Sequence, residues 1–331
     1  MIRLDTGTTR RRLPIEGEGN RNDARKTAPQ WLLVVLGIVT FSMAGCIRVP
    51  DQNWTISHRP PLETRRQVDD CSAACLTPSP SSPVAAQSST SGQPNLSATI
   101  NSDGFSLVSW NMFKGRKRGW DEDFTRLSQN TDILVLQEAY LSPSLKHLLH
   151  HHVYHWDMTT AFEYREIEAG VLTASRIRPN FTCTFLEKEP VTRIPKGVLI
   201  TRYAMSRTHQ QLLVANIHAI NFTTKHSAFE KQNDRLETLL NAHPGPMIVA
   251  GDFNTWSKGR MSRVKAMTDR LGLTAVKFDD NRTRIFGQSI DHVYYRGLES
   301  TYALTSMTTA SDHNPLTVGF KRVDENETPE A

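Results

Sequence analysis

Apolar and polar positions fall into blocks along this chain, and the blocks change character twice. From Trp31 to Ile47 the run WLLVVLGIVTFSMAGCI carries no charge. As a helix rising about 1.5 Å per residue it spans roughly 26 Å, the lower limit for crossing a bilayer core. From 48 to 104 apolar residues thin out, and 76–97 is dense in Pro, Ser, Thr, Gln and Ala without any charge. Such a stretch buries too little surface to offset its ordering entropy, which predicts a flexible linker over 48–104.

From Phe105 the pattern becomes that of a folded domain reaching Phe320, with an acidic tail at 321–331. Short β-branched runs at 105–110, 133–136, 170–173, 182–186, 198–201, 211–217, 247–250, 290–295 and 316–320 predict strands. Helical periodicity recurs at 121–129, 143–151, 228–240 and 260–271. Several strands follow one another directly. The pattern therefore predicts two mixed sheets with outer helices, not a doubly wound parallel sheet.

Composition adds limits. The chain is 38% hydrophobic and 22% charged, which excludes a wholly disordered chain and a multi-span membrane protein. Four cysteines exclude a disulfide-stapled scaffold. Residues 1–30 hold seven Lys/Arg against four acids, ahead of the apolar run. That order predicts a cytoplasmic amino terminus and an extracytoplasmic remainder, tethered through 31–47. Met43-Ala44-Gly45-Cys46 resembles a bacterial lipoprotein cleavage box, with Met43 where Leu is usual, so the segment reads as a lipoprotein signal or a single-pass anchor. If the segment directs no export, the domain is cytoplasmic. In an exported chain Cys71 and Cys75, within CSAAC, are candidates for a small disulfide.

The candidate chemistry lies at strand ends. Ser109-Trp110 runs into Asn111, Val135-Leu136 into Gln137-Glu138, and Asn216-Ile217 into His218. Val249-Ala250 runs into Gly251-Asp252-Phe253-Asn254, while Ile290 leads to Asp291-His292 and Ser311 to Asp312-His313. Carboxylates, amides and imidazoles beside buried strands are costly unless paired or metal-bound, and six such clusters point to one shared site.

The strings SWNMF, LQEAY, NIHAINF, AGDFNTW, SIDHVYYRGL and ASDHNPL resemble, in order, the endonuclease/exonuclease/phosphatase superfamily of metal-dependent phosphoesterases. RIPKGVL, NIHAINF and GDFNTWSKGRM most resemble its bacterial YafD-like branch. The resemblance implies a DNase I-like four-layer α/β sandwich: two facing mixed β-sheets flanked by helices, with the site at one rim. It implies Glu138 as the central metal carboxylate, Asn111 as a neighbouring oxygen ligand and Asp312 as completing the shell. Oxygen donors without cysteine favour Mg²⁺, or Mn²⁺, over zinc. It further implies that Asp252 orients or deprotonates the attacking water, Asn254 positions phosphate and water, and His218 contacts a phosphoryl oxygen. Asp291 is expected to hold the second nitrogen of His313, and either Asp252 or His313 takes the water's proton. His292 is expected to be structural.

Two basic stretches flank these motifs. Lys114-Gly115-Arg116-Lys117-Arg118 follows Asn111, and Lys258-Gly259-Arg260 follows GDFNTW. Lys114, Arg260 and Trp256, with Trp120, are candidates for binding phosphates and stacking bases, and Arg193 and Lys196 are further candidates. The expected activity is hydrolysis of phosphodiesters, nucleic acid favoured over phospholipid. A sphingomyelinase-type phosphodiesterase, a phosphomonoesterase and a non-catalytic binding module on the same fold are the alternatives.

Overall fold

A computed structural model describes residues 47–67, 71–77, 99–223 and 227–323. The apolar segment 31–47, apart from Ile47, and the tail from 324 lie outside the described residues. No helix among those described is long and apolar enough to cross a membrane.

The strands are β1 (Ile47–Arg48), β2 (Trp54–Arg59), β3 (Leu62–Gln67), β4 (Phe105–Asn111), β5 (Ile133–Tyr140), β6 (His155–Tyr164), β7 (Ile167–Ser175), β8 (Phe181–Lys188) and β9 (Pro195–Ala204). They continue as β10 (Gln211–His218), β11 (Met247–Asp252), β12 (Thr274–Ala275), β13 (Arg284–Ile285), β14 (Gln288–Ser289), β15 (Asp291–Arg296), β16 (Leu298–Thr305) and β17 (Leu316–Arg322). The helices are α1 (Ala73–Leu76), α2 (Trp120–Ser128), α3 (Pro143–His151), α4 (Ser227–Asn241) and α5 (Lys258–Arg270).

One sheet runs β16-β17-β4-β5-β7-β6-β2-β3, with β1 also on β6; the other runs β12-β15-β11-β10-β9-β8. Their facing sides enclose Leu107, Val135, Val214, Ile248, Val318 and Phe320. The outer side of the first sheet is covered by apolar residues of α2 and α3, including Phe124, Leu145 and Leu149. Phe229, Leu236, Val264 and Met267 of α4 and α5 cover the second. This is the four-layer sandwich expected from the alternation of strands and amphipathic helices. Helix starts follow local chemistry. Ser142 Oγ accepts from Leu145 N at 3.2 Å ahead of Pro143, and Ser257 Oγ accepts from Arg260 N at 3.3 Å.

The expected linker 48–104 is corrected at both ends. β2 pairs with β6 and β3 with β2, and Thr55, Ile56, Ser57 and His58 are buried. The pattern hid this strand because three of its four buried side chains, Thr55, Ser57 and His58, are polar. Ser57 donates to the buried carboxylate of Asp157 at 2.6 Å, which removes the cost of burying both. The amide of Cys71 then donates to Thr184 O on edge strand β8, and Leu76 is fully buried. Cys71 forms a disulfide with Cys183 of β8, not with Cys75, which is free and exposed. Within CSAAC, Cys75 lies on α1 while Cys71 pairs with the sheet edge. At the other end Ile100 is buried and bridges to Met205. Residues 47–67 and 71–77 thus clasp the open edge of the sandwich, the hairpin on one sheet and Cys71 on the other. The expected acidic tail begins later than 321, since β17 continues to Arg322.

Candidate active site

The parallel pairs β4/β5 and β10/β11 end at the same rim, which places Asn111, Glu138, His218 and Asp252 together. β15 runs antiparallel to β11 with Asp291 opposite Asp252. His313 arrives from the loop before β17. Trp110 Nε1 donates to its carbonyl at 3.0 Å, and Ser311 Oγ donates to Asn111 O at 2.7 Å while accepting from His313 N. These bonds tie the loop to the end of β4.

Backbone departures from regular strand aim the side chains. Register between β5 and β7 shifts from Leu136 to Ala139, and Glu138 within this bulge has φ 49°. Asn254, just past β11, also has φ 49°. Left-handed non-glycine residues cost roughly 1–3 kcal/mol each and tend to sit where function fixes them. Gly251 has φ 144°, and a Cβ there would meet Ile217 O at 2.0 Å, so only glycine lets β11 deliver Asp252.

Asp252 is the hub. Its Oδ2 accepts from Asn111 Nδ2 at 3.1 Å and lies 3.5 Å from His218 Nε2 and 4.0 Å from His313 Nε2. Its Oδ1 accepts from Asn254 N at 3.0 Å. Nδ1 of His313 is 2.8 Å from Asp291 Oδ2. Lys114 Nζ donates to Glu138 Oε2, and Lys196 Nζ donates to His218 Nε2 at 2.9 Å.

Burial pushes Asp252 up to about 7, only partly opposed by His313. Burial acts to lower His313, but the carboxylates of Asp291 and Asp252 overrule it and push the imidazole up to about 10. His218 is held well below its ordinary value by burial and by the ammonium of Lys196. Burial raises Glu138, yet Lys114, Lys196 and His218 outweigh it and leave the carboxyl well below the usual range. Near neutral pH the rim therefore holds a charged His313, a neutral His218, an ionised Glu138 and an Asp252 poised to exchange a proton.

The structure brings Asn111, Lys114, Glu138, Lys196, His218, Asp252, Asn254, Asp291 and His313 into one contiguous cluster. The remaining candidates divide. Asp312 is exposed, and its carboxylate touches Ser311 Oγ at 3.4 Å, at the edge of the cluster. Trp256 is half-buried, with Nε1 donating to Asn221 Oδ1 at 3.0 Å. Arg193 is exposed in the turn before β9, and its backbone amide bonds Glu189 O. Arg260 is corrected outright: it is buried, donating to the carbonyls of Ile220, Asn221 and Asn254 while lying over Trp256 and Phe229. With its guanidinium taken by three backbone oxygens it is a brace behind Asn254, not a substrate contact. His292 is buried between Thr255 Oγ1 and Ser289 O, a structural position.

Sequence reasoning missed the supports. Gln137 Nε2 donates to Asn216 Oδ1 at 2.8 Å, and Asn216 Nδ2 donates to Leu172 O, joining the two sheets behind the site. Gln232 Nε2 donates to His218 O and its Oε1 accepts from Ile220 N. Glu189 accepts from the amides of Asn221 and Phe222. The only available signal was a polar residue inside an apolar run, as at Asn216, and it does not reveal the partner.

The donors suit a hard divalent cation. Glu138 offers carboxylate oxygens at the mouth and already receives the ammonium of Lys114, so positive charge is accommodated there; beside it Asn111 turns Nδ2 to Asp252 while its Oδ1 accepts from Phe113 N at 3.1 Å. Asp252, Asp291 and His313 also lie within 4.8 Å of one another. That trio reads differently, because Asp291 is taken by His313 and the imidazole is cationic, which leaves it a poor ligand.

Residues 108–313 match the model of a family described as endonuclease/exonuclease/phosphatase. A UPF0294 protein of Vibrio cholerae is 38% identical over 228 residues, covering 68% of this chain and 81% of that protein. One from Vibrio vulnificus is 40% identical over 226 residues, covering 67% and 79%. Among solved structures, the human Nocturnin catalytic domain with bound sulfate aligns with TM-score 0.52 and 16% identity over 68% of this chain and 96% of that one. An endonuclease/exonuclease/phosphatase family protein from Leptotrichia buccalis aligns with TM-score 0.51 and 16% identity over 66% and 99%. At such identities these structures speak to the fold.

Proposed function

This chain belongs to the endonuclease/exonuclease/phosphatase family, whose fold supports hydrolysis of phosphoesters; on that premise we propose that it is a divalent-metal-dependent phosphodiesterase acting on nucleic acid, tethered by its amino-terminal segment and facing outward. The observation that carries the catalytic reading is Asp252, a buried carboxylate that reaches Asn111, His218, Asn254 and His313 at once.

Asp252, raised to about 7, takes the proton of the attacking water. His313, kept cationic by Asp291, contacts a phosphoryl oxygen and stabilises charge as it grows in the transition state. Neutral His218, whose ring meets Lys196 and whose backbone carbonyl accepts from Gln232, and the side chain of Asn254 position the phosphate. Lys114 and Lys196 add positive charge around the mouth. Mg²⁺ or Mn²⁺ held by Glu138 and Asn111, with Asp312 at the edge, would neutralise phosphoryl oxygens and the leaving group.

Nucleic acid is supported by what flanks the cluster. A cavity of roughly 320 Å³ beside it is lined by Lys114, Arg116, Trp120 and Tyr140, a mix that serves phosphates and bases together. Trp256 stands edge-to-face with exposed Phe286 at 6.3 Å, offering a second aromatic surface. The outward placement is supported by the basic leader before the apolar run and by the Cys71–Cys183 disulfide, which suits an oxidising compartment.

The test is hydrolysis by the purified chain of DNA, RNA, sphingomyelin and nucleotides, with and without Mg²⁺, alongside Glu138→Gln. Metal-dependent cleavage of a nucleic acid, reduced about 100-fold or more in Glu138→Gln, is expected. Cleavage of sphingomyelin alone would move the substrate to lipid, and chelator-insensitive cleavage would remove the metal.

A further inference from the structure

The amino-terminal clasp borders a second polar concavity, open to solvent and remote from the catalytic cluster. It has a volume of roughly 220 Å³ and is bounded by β2 and β3 on one side and by the β7–β8 connection on the other. Arg59, Arg66 and Arg178 line it, together with Thr64, Asn180 and Thr182. Strand register gives its place. Ser175, just before Arg178, pairs with Ile133, where β5 starts, while Glu138 lies where β5 finishes. Five residues at about 3.3 Å each separate these ends by roughly 17 Å.

The charge of this cavity is unbalanced. Among the described residues, the carboxylate bonded to its lining is Asp157, which is buried and accepts from Ser57 at 2.6 Å, Arg59 at 2.6 Å and Thr182 at 3.1 Å. Arg59 is thereby neutralised and fixed. Among the described residues, Arg66 and Arg178 have no hydrogen-bond or ion-pair partner. They come from different elements, β3 and the β7–β8 connection, yet face one concavity whose other walls carry hydroxyl and amide groups. Both side chains are exposed at the rim of the concavity, Arg66 on the edge strand β3 whose register on β2 fixes its backbone, so each guanidinium is open to an anion entering from solvent. A guanidinium pair with hydroxyl donors matches the oxygens of a phosphate, which each arginine can meet through two parallel N–H bonds.

We propose that this clasp cavity is a phosphate-binding site in which Arg66 and Arg178 grip the anion, with Thr64 and Asn180 completing the contacts. A water occupies about 30 Å³ of liquid volume, so the cavity has room for a phosphate and part of the group bearing it. The site is separate from catalysis and does not depend on the substrate proposed above. The phosphate comes from solution or from a lipid headgroup.

The test uses the purified full-length chain and two probes, inorganic phosphate and glycerophosphoglycerol, the soluble headgroup diester of an anionic phospholipid. Binding is measured calorimetrically at constant ionic strength, with chloride as the control. For at least one probe, Arg66→Ala/Arg178→Ala is expected to abolish a binding event or weaken it at least tenfold, with phosphodiester hydrolysis and Tm unchanged. Loss confined to inorganic phosphate identifies a free anion; loss confined to the diester identifies a lipid headgroup. Equal binding by wild type and double variant, or no binding of either probe beyond the chloride control, overturns the site. A second measurement needs no variant: the bound probe should protect Arg66 and Arg178 of the wild-type chain from phenylglyoxal, read by peptide mass spectrometry. Unchanged modification of both in the presence of each probe also overturns it.

Discussion

Asp291 places both carboxylate oxygens on Nδ1 of His313, at 3.0 and 2.8 Å, while Nε2 of the same ring points at Asp252 from 4.0 Å. One imidazolium thus lies between two buried carboxylates. If Asp291 sustains the charge of His313, the two act as a unit. His313→Ala should cut turnover about 10²–10⁴-fold, and Asp291→Asn should remove a large part of it. The double variant should be little worse than His313→Ala. Multiplicative losses in steady-state kcat would separate the two residues.

Arg260 supports a different expectation. Its removal leaves the carbonyls of Ile220, Asn221 and Asn254 without their donor inside the protein. Arg260→Ala should therefore lower stability by roughly 3 kcal/mol or more in urea unfolding. A raised KM at unchanged stability would restore it as a substrate contact.

The clasp makes the domain sensitive to reduction. Cys71 and Cys183 are 112 residues apart in sequence. Cys71→Ser, or dithiothreitol, should cost about 2–5 kcal/mol, and Cys75→Ser should cost nothing measurable. Equal effects of Cys71→Ser and Cys75→Ser on Tm would contradict the pairing.

His243 predicts acid sensitivity. Burial, with Arg296 close by, lowers it to about 4; Nε2 donates toward the carbonyls of Gln211 and Pro246, and Nδ1 is buried without a partner. Because the folded value lies below the unfolded value near 6.5, its contribution is complete above pH 6.5. It is lost as pH falls toward 4, by up to about 3 kcal/mol. His243→Gln should flatten the stability curve over that window. An unchanged slope would mean that His243 is not the group responsible.

Much of the candidate site was legible because many of its residues end or begin an apolar strand run. Asn111, Glu138, His218, Asp252, Asp291 and His313 all stand at such junctions, and a buried strand end can hold a polar group only with partners close by. The nine strand runs and four amphipathic helices were legible because strands buried on both faces, as β4 and β11 are throughout, read as continuous apolar runs, while one-sided burial gives a helix its 3.6 period.

The tertiary structure decided what has no period. β2 buries Ser57 because Asp157, 100 residues beyond it, satisfies the serine hydroxyl, and buries Thr55 and His58 beside it with Thr55 Oγ1 and His58 Nδ1 unpartnered among the described residues, so the segment reads as polar linker. Cys71 chose Cys183 because β8 is the sheet edge that the chain meets after β3. Arg260 looked like a surface cation beside a catalytic motif, but the fold turned it inward onto three carbonyls. Identity and spacing determine which residues must be buried or polar. Which distant partner makes that burial tolerable is settled only when the two sheets close.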